Sequence, residues 1–287
     1  MDQPAAGGGM APKGIGDIIS AAFEVYKEHW QRLLTMAAVL VIPLYLVVGV
    51  VVSLVVSSAT TEIDTGLSGV TVSTTAVWAT ILGAFIGSAI IVIAGYIVQG
   101  AITRGAAVAI VGEPGIEDAF KWGMKRVGSF LWIAVLLGLL VGFAPLLVVL
   151  LLGVILKGSG LAIGFILYVP AIIFLGTMFA VAIPALVVEN RRGTDALQRS
   201  WDLVKGHFWH VLGAIFVGGL LAGIVSGLIG AVFGVGGDIG RVVGQAIGAC
   251  VTIPFTALIA VIIYLDVRTR TENVTIDQLK ADLAKSA

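Results

Sequence analysis

Six stretches of this chain outlast the thickness of a bilayer without one Asp, Glu, Lys or Arg: 33–56, 76–102, 130–156, 161–188, 209–235 and 242–265. Inside hydrocarbon a backbone must satisfy its own N–H and C=O groups, and about 20 apolar residues wound as helix cross the core. The stretches therefore predict six transmembrane helices, most of them long enough to tilt. With 59% hydrophobic and 12% charged residues, the chain is far from the roughly 25% charge of soluble proteins.

The runs are joined by a repeated device, clearest at 182–213. Counting from Asp195, apolar residues fall at Leu197, Trp201, Val204 and Phe208, one face of a helix, while Arg199, Asp202 and Lys205 lie towards the other. Such a helix lies flat at an interface before the apolar run begins. The same offsets from Asp17 give Ile19, Phe23, Tyr26 and Trp30, and from Asp118 they give Phe120, Met124, Val127 and Leu131. Asp277 opens a fourth leader, with Leu279 and Leu283. The expected fold is an all-α integral membrane protein of three tandem repeats, each an interfacial amphipathic helix followed by two spans. The units are about 14–112, 113–192 and 193–287, one membrane domain after an Ala-, Gly- and Pro-rich tail, 1–13, expected to be disordered. The N-terminus lacks the charged-apolar-cleavage order of a signal peptide, so no removal is expected.

All but Lys157 and Arg241 of the 17 Lys and Arg fall on the side of the leaders and the two termini, which the positive-inside rule makes cytosolic. Trp30, Trp122, Trp132, Trp201 and Trp209 fall near that interface and are expected to anchor there. The repeated acid near each helix start is expected to accept backbone N–H bonds and face the positive dipole end. Asp195 with Arg199, and Arg199 with Asp202, have the spacing of helix ion pairs, each worth about 0.2–0.5 kcal/mol. Gly219, Gly223 and Gly227, and Gly240, Gly244 and Gly248, recur every four residues, the pattern of close crossings in lipid. The last two spans are therefore expected to meet through both series, making Gly223→Leu more damaging than Leu221→Ala. Pro43, Pro145, Pro170, Pro184 and Pro254 are expected to kink their helices, and Cys250, in an apolar run, to serve as a small packing residue.

The chemistry expected of many membrane machines is missing from the runs. Proton relays and ion-coupled sites use intramembrane ionisable residues, and the six runs carry none. The motifs of intramembrane proteolysis, the phosphate-binding glycine loop and zinc-ligand spacing are also absent, so no catalytic residue, cofactor or metal is expected. Gln99, Thr177, His210, Gln245 and Thr252 are expected to hydrogen-bond between helices. A formal charge of zero points away from nucleic acid.

What remains is the element Lys-x-His-aromatic, Lys27-Glu28-His29-Trp30 and Lys205-Gly206-His207-Phe208, placed where a flat helix becomes a span. There a lysine can snorkel while the ring anchors. Together with Arg32 and Arg199, these positions define candidate contacts for an anionic phospholipid headgroup: Lys27, His29, Arg32, Arg199, Lys205 and His207.

The segments AIPALVVE at 182–189, ALQRSWDLVKGHFW at 196–209 and IYLDVRTRTE at 263–272 resemble the membrane domain of glycerophosphoryl diester phosphodiesterase. The resemblance implies a six-helix domain in a bacterial plasma membrane, whose members largely lack a defined activity. The enzyme that lends the family its name keeps its active site on a separate soluble barrel, for which these residues leave no room, so no catalytic residue is carried over. The leading expectation is a non-enzymatic protein that organises or senses lipid at the inner leaflet. A passive transporter or channel-like conduit is the alternative, and a lipid-modifying enzyme has least support.

Overall fold

Where the sequence turns from amphipathic to apolar, the backbone breaks. The computed structural model describes residues 11–61, 63–64, 71–72, 95, 98–110, 121–123, 125–156 and 158–285. Helix α1 (Ile15–Thr61) carries both the first leader and the first apolar run, and leaves helical angles at His29 (φ −116°, ψ 16°). The same transition recurs at His207 (φ −134°, ψ 25°), between α7 (Thr194–Val204) and α8 (Phe208–Gly234). Both histidines stand in a Lys-x-His-aromatic element, and that element is the point at which the helix breaks.

Among the described residues the regular structure is helical apart from a two-residue antiparallel ladder, Ile63–Asp64 with Thr71–Val72, between the first two expected runs. Residues 98–110 form α2, nearly all of it buried and helical past Arg104. The second expected run lies mostly outside the described residues, as do Asp118 and residues 1–10 of the tail. Next come α3 (Val127–Leu137), a π-helical turn (Gly138–Phe143) and α4 (Ala144–Ile155). The wider turn immediately precedes Pro145, whose ring would collide with the carbonyl four residues back in an unbroken α-helix. Helices α5 (Gly158–Met178), α6 (Ala182–Glu189), α9 (Gly237–Glu272) and α10 (Ile276–Lys285) complete the chain.

Among the described residues four helical stretches are long and apolar enough to cross a membrane: Val127–Ile155, Ala162–Glu189, Phe208–Gly234 and Gly240–Glu272. Their outer faces are apolar, as in Val154, Ile166, Phe216 and Val232, which suits lipid and not water. Helix α9 is the centre. Its Leu258, Val261, Ile262 and Tyr264 pack against Ile18, Leu33, Ala37 and Val41 of α1. Trp122, Phe130, Ile133, Leu186, Val187 and Leu197 form a second core under α7. In the leader layer, where the alternative to burial is water, each fully covered leucine such as Leu197, Leu203 or Leu279 is worth roughly 1.5–3 kcal/mol.

Helices α8 and α9 cross closely, but not as the glycine spacing predicts. The α9 series faces its neighbour: a Cβ on Gly244 would lie 2.8 Å from Phe233 Cβ, and one on Gly248 2.8 Å from Ser226 Oγ. On α8 the contact is made by Ser226, Gly230 and Phe233, whereas Gly219, Gly223 and Gly227 have nothing within 4 Å of an added Cβ. A four-residue spacing defines a face of a helix without saying which neighbour that face meets.

Other expectations change too. Trp122 is buried, not an interfacial anchor, while Trp30, Trp132, Trp201 and Trp209 stay exposed. Thr177 and Thr252 hydrogen-bond Ile173 O and Gly248 O on their own helices, since a hydroxyl can reach back one turn more easily than across to a neighbour. Asp17 does accept the Gly14 N–H, at 3.0 Å. Asp195 makes no such cap, and α10 starts instead with a reciprocal pair, Thr275 N to Gln278 Oε1 (3.1 Å) and Gln278 N to Thr275 Oγ1 (3.3 Å).

Candidate functional site

Helices α6 and α9 both stop at a Glu-Asn pair. Asn190 (φ 55°, ψ 28°) and Asn273 (φ 52°, ψ 47°) adopt the left-handed conformation that ends a helix, which asparagine tolerates better than most residues. Gly193 follows the first stop at φ 57°, ψ −125°, a region closed to side-chain-bearing residues. The two stops bring Glu189 and Glu272 to one place, where both bind Arg199.

Arg199 Nη2 lies 2.8 Å from Glu189 Oε1, and Nη1 lies 2.6 Å from Glu272 Oε1. Arg268 bridges Glu272 (3.0 Å) and Asp282 of α10 (2.8 Å), Tyr264 donates to Glu189 Oε1 at 2.5 Å, and Arg191 pairs with Glu189 at 3.1 Å. Only 8% of the Glu189 side chain and 15% of the Arg199 side chain are exposed, so the charges act at low dielectric. Burial alone would lower the Arg199 pKa, but the hydrogen bonds it donates to Glu272 and Glu189 outweigh it and hold the pKa above the ordinary arginine value. Three carboxylates face three guanidinium groups, leaving the network balanced in charge. It is suited to locking α6, α7, α9 and α10 together, not to holding a free ion.

A second cluster ties down the start of the chain. Asp266, its side chain fully buried, accepts from His210 Nε2 (2.9 Å), Arg270 Nε (2.8 Å) and the Lys13 backbone N–H (2.6 Å). Arg270 also donates to Lys13 O at 2.6 Å. The last residue of the expected tail is thus bound at both its N–H and its C=O. Asp266→Ala should release this strand. Losing hydrogen bonds to a buried charge costs about 1.5–3 kcal/mol, so the open population should rise roughly ten- to a hundredfold. Trypsin cleavage after Lys13, followed by intact-mass measurement, reads this directly, and an unchanged rate would show the tether to be inert.

The third group stacks Arg104 and Arg126 on the Trp122 ring, 5.1 and 4.6 Å from its centroid. Arg104 donates to Val187 O and Leu283 O, and Arg126 to Asn190 Oδ1, joining α2, α6 and α10. Burial, then the nearby charge of Arg192, lowers the Arg126 pKa.

The six candidate headgroup contacts divide. Lys27 and Arg32 are exposed on either side of the half-buried His29 at the α1 break. Lys205 is exposed beside the α7–α8 break and pairs with Asp202 at 3.0 Å. His207 Nδ1 is buried and finds no hydrogen-bond partner among the described residues. Arg199 is drawn inward to Glu189 and Glu272, not to the expected Asp195 or Asp202, because it faces the helix stops and not its own helix edge. The repeated Glu-Asn, at 189–190 and 272–273, was the available signal for the buried network.

An apolar crevice of about 210 Å³ lies where α5, α8 and α9 meet, between Gly176, Gly218, Gly219, Thr256, Ile259 and Ile263.

The segment that carries the crevice, the α7–α8 break and the Glu189–Arg199–Arg268 ion pairs is the one with a recognisable relationship. Residues 151–268 match the family described as the membrane domain of glycerophosphoryl diester phosphodiesterase. The match to this membrane domain covers less than half of the chain, and it ends before Glu272 and Asp282. With the apolar helices, it identifies a polytopic membrane protein. No curated protein and no solved structure matches the chain.

Proposed function

We propose that this chain is a non-enzymatic protein of a bacterial plasma membrane, with six spans in three tandem units and both termini cytosolic, that organises or senses lipid at the inner leaflet. The observation that carries the reading is the pair of equivalent breaks at His29 and His207. Each presents an exposed lysine, Lys27 or Lys205, beside an exposed tryptophan, Trp30 or Trp209. An ammonium group and an indole at the turn from flat to spanning helix suit the headgroup layer of an anionic leaflet. Lys27, Arg32 and Lys205 supply the accessible charge, with His29 and His207 beside them at the two breaks. The apolar lining of the crevice favours this reading over the alternative of an aqueous conduit.

The test is thermal stabilisation of the purified protein by phosphatidylglycerol or cardiolipin relative to phosphatidylcholine. The Lys27→Gln/Lys205→Gln pair should weaken the anionic preference by at most ~1 kcal/mol per lysine, and less in salt. Full retention of that preference would reduce the element to an anchor. Reporters fused after residue 287 should read cytosolic and those within 60–70 extracytosolic, and the reverse would overturn the six-span arrangement.

A further inference from the structure

We infer that the crevice between α5, α8 and α9 is a lateral seat for one hydrocarbon chain of a membrane glycerophospholipid. This rests on the reading of the chain as a lipid-contacting membrane protein but not on its basic headgroup contacts.

The floor and rim differ in kind. Gly218, Ile259 and Ile263 are buried, and a Cβ on Gly218 would meet Ile259 Cδ1 at 2.6 Å, so the floor is already at packing distance. Gly176 and Gly219, on opposite walls, are exposed, and a Cβ on either would meet nothing within 4 Å. Here glycine keeps an opening clear; it does not bring helices together. The one hydroxyl in the lining, on Thr256, is bonded to Ile253 O at 3.0 Å, so the walls present hydrocarbon.

Depth and continuity select the occupant. At 1.5 Å per residue, Ile215–Gly219 lie about 10–17 Å along α8 from Phe208, from the inner part of a leaflet about 15 Å deep to the bilayer midplane. The rim runs into the lipid-facing surface of α8, where Phe216 and Leu220 are exposed. Towards the start of α8, Phe208 and Phe174 bring their ring centroids to 5.4 Å and bridge α8 to α5, leaving entry from the side. Water does not fill an apolar cavity at such depth, and walls left unfilled forfeit dispersion contacts. A partner helix, about 10–12 Å across with its side chains, is too wide to enter. A volume of about 210 Å³ exceeds the roughly 150 Å³ of an apolar cavity that accepts benzene, so the lower part of an acyl chain has room to enter.

The full chain is reconstituted in phosphatidylcholine vesicles containing a phosphatidylcholine with a photoreactive group near the end of one acyl chain. After illumination the crosslinks are mapped by mass spectrometry. Crosslinks should concentrate on Gly218, Gly219, Ile259 and Ile263, fall in Gly219→Leu to the level on exposed Phe216, and persist in Gly227→Leu, two turns farther along α8 and outside the crevice lining. Gly176→Leu fills the same space from the other wall and should act alike, so loss of fold in one variant leaves the other decisive. An even spread over the exposed faces, protein–protein crosslinks at the crevice, competition by water-soluble glycerophosphocholine, or full labelling in both filled variants would each overturn the seat. Phosphatidylcholine carries no net charge, so these outcomes are independent of the anionic preference tested above.

Discussion

Glu189→Ala is expected to destabilise the detergent-solubilised protein by about 3–5 kcal/mol, far more than removal of any exposed charge. The cost comes from what is left behind. Arg199 keeps Glu272, but a guanidinium that is 15% exposed loses its 2.8 Å partner, and the Tyr264 hydroxyl loses its acceptor. Glu189→Gln keeps the shape without the charge and should fall between wild type and Glu189→Ala. Replacing both partners by apolar residues, as in Glu189→Leu/Arg199→Met, should restore much of the loss, because the desolvation cost of both ions is removed together. Thermal unfolding in one detergent at fixed pH and salt compares the set. The control is Lys205→Ala, whose 3.0 Å pair with Asp202 is exposed on both sides and is worth about 0–1 kcal/mol. Glu189→Ala no worse than Lys205→Ala would show that the network does not lock the helices.

Gly244→Leu is expected to be strongly damaging, and Gly223→Leu nearly silent. A Cβ on Gly244 would approach Phe233 Cβ to 2.8 Å, with Gly230 Cα at 3.4 Å and Ile229 O at 3.5 Å behind it. Two of these three atoms are backbone, so relief requires the helices to part and not a side chain to turn. Overpacking costs typically 1–3 kcal/mol where side chains can yield, and separation of a close crossing in lipid also forfeits the packing that holds it. At Gly223 the new side chain enters open space on the apolar exterior. Thermal inactivation of the two variants decides between them, and a larger loss for Gly223→Leu would place the crossing on the other face of α8.

The ion network and the helix crossing are the parts of this protein that its sequence hides. Hydropathy and helical periodicity are local, and lipid leaves the backbone so few choices that apolar runs, leaders and the Lys-x-His-aromatic transitions are readable residue by residue. The similar backbone angles at His29 and His207 follow from that local pattern. Arg199 looked like a helix-edge charge, yet its partners come from 10 and 73 positions away, and Tyr264 meets Glu189 across 75. Trp122 looked like an interfacial anchor until Arg104 and Arg126 closed over it. Among the described residues, sequence alone determined where the apolar helices run, where the chain breaks at His29 and His207, and that the outer surface is apolar. The tertiary structure decided which way each helix is rotated about its own axis. Rotation is set by the sum of contacts with several distant helices, and no periodicity within a single helix records that sum.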